Sequence, residues 1–402
     1  MRGAPARAAR RISSGALALV LVLAATSAAR AQAPEDRGAL AIDEWDAGRV
    51  DHAGARIPTR VLFPTDGTAP YPLVGVIHGA GRTGARHRVL AETLASRGFV
   101  VILPDIPCGF TGCNHDENAD QLVAMLEWAV TRSADASSPI AGLVDGSRRA
   151  LIGHSWGALA SHLAAARDPS LDAVVLFDPN DDGTVGRDAT ASITAPVAQL
   201  LADVPGACNS AWDEGAVTPM LPAPALELTV RRSAHCDPEE PGDFVCPLGC
   251  GAGDPATSAV FRRYAVAWVS CFLQDDASMA PWLGGGSMSG DESDRVIEGV
   301  VRRGFDGLPC RATTETDAGA AVGDAGTSVD AGTDDGGVMD ASAATDGGGT
   351  DADATDASLA SGVDAGSVGG TDGGCGCRAI NGSAGGPWAL LALGLLAARR
   401  RR

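Results

Sequence analysis

Between residues 60 and 274 the apolar positions alternate between two textures. Short, mostly apolar runs at 60–64, 73–77, 99–104, 150–152, 173–177, 195–202 and 226–230 are rich in Val, Ile and Leu and predict strands. Between and after them, 86–97, 119–132, 156–166 and 259–274 place apolar residues three and four apart, which predicts helices. Most of the strand runs show no polar alternation, so their strands are expected to be buried on both faces. Such strands interleaved with helices predict an α/β protein: a doubly wound, mostly parallel sheet with helices on both faces.

The pattern stops near residue 311. From 312 to 374 the chain is almost entirely Ala, Gly, Asp, Thr, Ser and Val, with thirteen acidic residues and no basic one. It lacks the apolar surface needed to offset ordering entropy and reads as a flexible, self-repelling spacer. Asp351, Asp353 and Asp356 do not make a calcium loop, because the Gly and terminal Glu required at fixed offsets are missing. Residues 375–402 then carry Cys375-Gly376-Cys377, an apolar stretch at 387–398 and four terminal Arg. A dozen apolar residues are short for a hydrocarbon core of roughly 30 Å, although counting from Ala379 gives about twenty. The terminal Arg would keep that end cytoplasmic. At the other end, 1–31 has Arg2, Arg7, Arg10 and Arg11 before an apolar run at 15–25 and a small-residue site at Ala29-Arg30-Ala31. That is the layout of a secretory signal peptide; the Arg10-Arg11 pair hints at a twin-arginine route, but cysteine usage favours export unfolded into an oxidising compartment. The catalytic-sized core is therefore 38–311.

Net charge is −19, and every basic side chain is Arg. Both ends are basic and the spacer is acidic, which leaves a strongly acidic core with no basic face. Nucleic acid and anionic membrane surfaces are excluded as partners of the core on that ground. Eight cysteines lie in it: Cys108, Cys113, Cys208, Cys236, Cys246, Cys250, Cys271 and Cys310. The even number predicts up to four disulfides and an oxidising compartment. Cys108 with Cys113, and Cys246 with Cys250, are close enough for small loops, but pairing does not follow from spacing. A zinc site at Cys246 and Cys250 lacks the second ligand pair it would need.

The chemistry centres on residues 150–157. The run Ala150-Leu151-Ile152 leads directly into Gly153-His154-Ser155-Trp156-Gly157, and helical spacing follows at once. In a strand-to-helix elbow the two Gly relieve crowding, so Ser155 projects as a nucleophile above the sheet edge. A serine hydroxyl needs a base to take its proton. Only His162 and His235 follow Ser155; His162 lies on the helix leaving the elbow and points along it. His235, after the strand run 226–230, is the base by elimination and position. The acid that orients its imidazole is Asp178, closing 173–177, ahead of Asp203, closing 195–202, and of Asp181 or Asp182. Two N–H donors must meet the oxyanion: Trp156, next to the nucleophile, and Ala80 in the turn His78-Gly79-Ala80-Gly81. His78 reads as structural. This chemistry calls for no metal and no organic cofactor.

With these residues in place, 55–275 resembles the α/β-hydrolases that include chlorophyllases, platelet-activating-factor acetylhydrolases and polyester hydrolases, a dienelactone hydrolase-like group. HGAGRTGARHRVLAETLASRGFVVILPDI is similar to their first strand-helix-strand unit, and IAGLVDGSRRALIGHSWGALAS to their approach to the nucleophile. FDPNDDG resembles the chlorophyllase segment that carries the acid, which implies Asp178. The polyester hydrolases carry it after the next strand, which implies Asp203, and YAVAWVSCFLQDD resembles their closing helix. Two departures stand out: Ala158 where many relatives have a third Gly, and Trp156 where they often have Met or Arg. A bulky Trp156 is expected to narrow the acyl pocket, and no long lid-like insertion is visible. The tail 375–402 resembles the C-terminal sorting tails of myxobacterial surface proteins, the MYXO-CTERM type, which implies cleavage near the Cys by a membrane sorting protease. A plain tail anchor is the other reading.

These readings converge on an exported, surface-tethered serine hydrolase that cleaves carboxylic esters through an acyl-enzyme. Its expected partners are a small-molecule, lipid or polymer ester, a membrane through the tail, and the sorting protease. A lactone or peptide hydrolase is the second enzyme reading, and a catalytically silent surface binding module is the reading from another class.

Overall fold

A computed structural model describes residues 32–109, 112–206 and 208–310. The signal peptide, spacer and sorting tail expected at 1–31, 312–374 and 375–402 lie outside the described residues.

The strand runs fall within a nine-stranded sheet: β1 (Ile42–His52), β2 (Ala55–Pro64), β3 (Tyr71–Ile77), β4 (Val100–Pro104), β7 (Val144–His154), β8 (Ala173–Phe177), β9 (Val197–Ala202), β10 (Ala225–Val230) and β11 (Ile297–Arg303). Their order across the sheet is β1-β2-β4-β3-β7-β8-β9-β10-β11. The short strands β5 (Cys108–Gly109) and β6 (Gly112–Cys113) make a separate hairpin. The longer helices are α1 (Arg88–Ser96), α2 (His115–Ala134), α3 (Trp156–Arg167) and α4 (Ser258–Gln274).

Successive residues along each inner strand face opposite cores. Val74 and Val76, Val101 and Leu103, Ala150 and Ile152, and Val175 and Phe177 join one cluster, with Leu90 and Leu94 of α1 and Phe261, Tyr264 and Trp268 of α4. Leu73 and Ile77, Val100 and Ile102, Leu151, and Val174 and Leu176 join the other, with Leu122 and Met125 of α2 and Leu159 and Leu163 of α3. The two-residue period of a strand thus fills both layers at once, and that is why its sequence reads as an unbroken apolar run.

Parallel pairing runs through β3, β4 and β7 to β10. The outer strands β1, β2 and β11 pair antiparallel. The sequence pattern does not separate β1 and β11 from loop, because IDEWDAGRVDH and IEGVVRR alternate weakly and bury only one residue each. The folded body also begins before residue 38: Arg262 Nε donates to the Glu35 carbonyl at 2.8 Å and Arg97 Nε to that of Asp36 at 3.0 Å.

The inner strands end nearly level. His154 pairs with Phe177, Phe177 with Leu200, and Ala202 with Val230. The residues that follow each strand therefore emerge along one carboxyl edge, where open α/β sheets assemble their sites.

Candidate active site

The chain turns sharply between β7 and α3. Ser155 sits at φ 57° and ψ −124°, a left-handed backbone that non-glycine residues seldom adopt. The turn is held by the Ser155 amide donating to the Phe177 carbonyl at 3.0 Å and the Leu159 amide donating to the Ser155 carbonyl at 3.1 Å. Its glycines answer to packing. A Cβ at Gly153 would lie 2.3 Å from the Gly157 carbonyl oxygen, and one at Gly157 would lie 2.3 Å from that of His78. The turn after β3 is thereby brought against the elbow, and a Cβ at Gly79 would meet Ser155 Cβ at 2.9 Å.

Three side chains from separate loops meet at that point. His235 Nε2 lies 2.9 Å from Ser155 Oγ, and its Nδ1 lies 2.6 Å from Asp178 Oδ2. With Nδ1–H donating to the carboxylate, Nε2 is left to accept the serine proton; the tautomer is assigned from this network. Ser155 is 7% exposed, and Asp178 and His235 are each 3% exposed. The second Asp178 oxygen accepts the Ala202 amide at 2.8 Å, so both oxygens are engaged.

The other acids named from the sequence lie elsewhere. Asp203 Oδ2 accepts the Arg232 amide at 2.8 Å, and the Asp203 amide donates to Ser233 Oγ at 3.3 Å. It thus braces the start of the loop that bears His235. Asp181 accepts the amides of Asp182, Gly186 and Arg187. Asp182 is exposed, 3.7 Å from His115 Nε2. His162 is buried, with Nε2 3.1 Å from the Gly186 carbonyl, and takes no part in the serine network. His78 is buried with Nδ1 2.8 Å from the Gly79 carbonyl.

The N–H groups of Ala80 and Trp156 have no acceptor among the described residues. Trp156 opens α3, so its amide is one of the orphan donors at a helix start. On either side of Ala80 the turn is fixed: the Gly81 amide donates to the Cys108 carbonyl at 2.8 Å and the Arg82 amide to that of Gly79 at 3.2 Å. The indole of Trp156 packs edge-on to the His115 ring, with centroids 5.3 Å apart. Burial holds the His115 imidazole below its ordinary pKa.

Among the described residues the disulfides are Cys108–Cys113, Cys208–Cys250, Cys236–Cys246 and Cys271–Cys310. Cys246 and Cys250 are thus not joined to each other. The sulfurs of Cys236, Cys246 and Cys250 lie close together, but each is committed to an S–S bond and offers no thiolate to a metal. Beside His235 are three groups the sequence reading did not single out, His154, Arg82 and Glu239. Their partners lie 81 and 157 residues away, so no local spacing reveals them.

A family model described as PET hydrolase-like matches residues 25–202, a span that takes in Ala80, Ser155, Trp156 and Asp178. The chain is 29% identical over 235 residues to Cutinase est1 of Thermobifida alba, covering 57% of this chain and 72% of that protein. It is 33% identical over 184 residues to Cutinase cut1 of Thermobifida fusca, covering 43% and 56%. A further cutinase of Thermobifida fusca (strain YX) is 26% identical over 302 residues, covering 71% and 90%. These likenesses support an α/β-hydrolase fold and a serine-type carboxylic ester hydrolase. No helix among the described residues is long and apolar enough to cross a membrane.

Proposed function

We propose that this chain, a serine-type carboxylic ester hydrolase of the α/β-hydrolase fold, works through an acyl-enzyme formed on Ser155. The observation that carries the reading is the pair of contacts at His235, 2.9 Å to Ser155 Oγ and 2.6 Å to Asp178. Ser155 Oγ attacks the ester carbonyl as its proton passes to His235 Nε2, and Asp178 stabilises the imidazolium. The Ala80 and Trp156 N–H groups receive the oxyanion. As the tetrahedral adduct collapses, the ester C–O bond breaks and His235 returns the proton to the departing alcohol. Water then repeats the sequence: His235 takes its proton, hydroxide adds to the acyl carbon, and the acid leaves as Ser155 regains its hydrogen.

The finer reading is that the ester is apolar and polymeric. It rests on the names of the relatives and on Phe244 and Leu248, 76% and 70% exposed, in a segment that Cys236–Cys246 ties to the residue after His235. Exposed aromatic and aliphatic groups tied to the loop that bears the base suit a water-insoluble substrate. The same reading puts the enzyme outside the cell, exported by 1–31, tethered by 312–374 and attached or cut at 375–402 by a sorting protease. Four disulfides support an oxidising compartment.

The test is a fluorophosphonate probe on the purified full chain, beside Ser155→Ala and His235→Ala. Wild type is expected to label and hydrolyse p-nitrophenyl acetate, and Ser155→Ala to do neither. A folded wild type that resists the probe leaves the binding-module reading in its place.

A further inference from the structure

Beside the serine network lies a buried ion pair that the proposed reaction does not use. Arg82 Nε donates to Glu239 Oε1 at 2.8 Å and Arg82 Nη2 to Glu239 Oε2 at 2.5 Å, a bidentate fork between side chains 7% and 0% exposed. Arg82 Nη2 also meets Asp243 Oδ1 at 3.0 Å, and Arg86 Nη2 meets Asp243 Oδ2 at 2.8 Å. Main-chain bonds run alongside: the Glu240 amide donates to the Arg86 carbonyl at 2.7 Å, and the Val89 amide to that of Glu240 at 3.1 Å.

The positions of these residues in the chain give the pair its meaning. Arg82 stands two residues after Ala80, and Glu239 four residues after His235. Beside Glu239 is His154, directly before Ser155, whose Nε2 donates to the His235 carbonyl at 2.7 Å and whose Nδ1 lies 3.9 Å from Glu239 Oε1. Its ring lies against those of His235 and His87, with centroids 4.8 and 5.6 Å away. Burial, then the neighbouring His235 and His87, holds His154 well below its ordinary pKa, so it stays neutral with its one N–H spent on the His235 main chain. Burial pushes the Glu239 carboxyl up, against the pull of Arg82.

A buried charge pair is a poor source of stability, because desolvation cancels much of its attraction. What it supplies is geometry, since a fork accepts its carboxylate in one orientation only. We propose that Arg82 and Glu239, with His154 beside them, are positioning residues that lock the Ala80 turn to the His235 loop, so that oxyanion donor and base converge on one carbonyl carbon. The inference rests on the acyl-enzyme reading given above.

The test measures full-chain variants with p-nitrophenyl acetate and with a boronic acid that mimics the tetrahedral adduct. The double variant Arg82→Met with Glu239→Leu removes both charges and leaves none unpaired; Arg82→Lys keeps the charge and loses the fork. Both are expected to lower kcat about ten- to a hundredfold with KM within about threefold, because misplacement by about 1 Å costs rate without costing ground-state contacts. Boronate affinity is expected to fall with kcat, and Glu239→Gln, which retains one arm of the fork, to fall less than the double variant. If the double variant does not fold, Arg82→Lys decides alone. A folded variant with wild-type kcat and boronate affinity overturns the proposal, as does a loss confined to thermal stability. Should Ser155→Ala remain active, the acyl-enzyme reading fails instead.

Discussion

Asp178 holds His235 Nδ1 at 2.6 Å with one carboxylate oxygen and the Ala202 amide at 2.8 Å with the other. The carboxylate is thereby clamped between the imidazole and the end of β9, the strand that leads to the competing acid. Asp178→Asn preserves the shape but presents an amide that favours the wrong tautomer. Its kcat/KM on p-nitrophenyl acetate is expected to fall about 10³- to 10⁴-fold. Asp203→Asn should lose less than about tenfold, through a loosened Arg232 and Ser233. The reverse ranking would move the acid to Asp203.

The contrast between these two acids shows how far sequence reaches. The elbow was legible because all its parts are local: an apolar strand, Gly-x-Ser-x-Gly, then helical spacing. The acid was harder, since β8 and β9 each end in Asp at the same edge, and resemblance to chlorophyllases and to polyester hydrolases implied different ones. The side-chain direction that separates them comes from tertiary bonds, Arg232 N–H to Asp203 and Ala202 N–H to Asp178. Arg82 and Glu239 carry no local signal, and β1 and β11 are edge strands whose exposed faces dilute the apolar pattern.

Trp156 packs on His115 beside the nucleophile. If its indole limits the acyl side of the cleft, Trp156→Ala should favour longer chains. The ratio of octanoyl to acetyl p-nitrophenyl ester turnover is expected to rise about tenfold, the size of effect a few methylenes command in a pocket. An unchanged ratio would assign the indole a packing role alone.

Acid should destabilise the fold through its buried histidines. Burial lowers His162 from 6.5 to about 4 and His87 to about 3. Both are neutral in the folded protein at pH values where the unfolded chain already binds protons. The stability each contributes is thus complete above about pH 6.5 and lost as pH falls toward the folded value, on the order of 3 kcal/mol for His162. Urea midpoints taken from pH 7.5 to 4 should fall, and His162→Gln should flatten the trend. A slope identical to wild type would exclude His162 as a contributor.

The exposed Phe244 and Leu248 offer a separate check on the substrate. Replacing both by Ser should leave turnover of soluble p-nitrophenyl acetate within about twofold, since surface changes away from the chemistry are small. Release of soluble acid from a polyester film should drop severalfold. Equal effects on both substrates would tie the segment to the cleft's structure and not to an insoluble ester.

Three of the four disulfides, Cys108–Cys113, Cys208–Cys250 and Cys236–Cys246, staple loops that follow β4, β9 and β10, while the layers beneath the sheet are closed by side-chain packing. The fourth, Cys271–Cys310, is buried in the core against α4, so the rim carries most of the disulfides and the frame one. Under reductant the far-ultraviolet dichroism of the sheet and helices should persist at low temperature while fluorophosphonate labelling slows; a parallel loss of both would join the two. On that expectation the oxidant acts as the last assembly step, setting the catalytic loops on a sheet that has already folded.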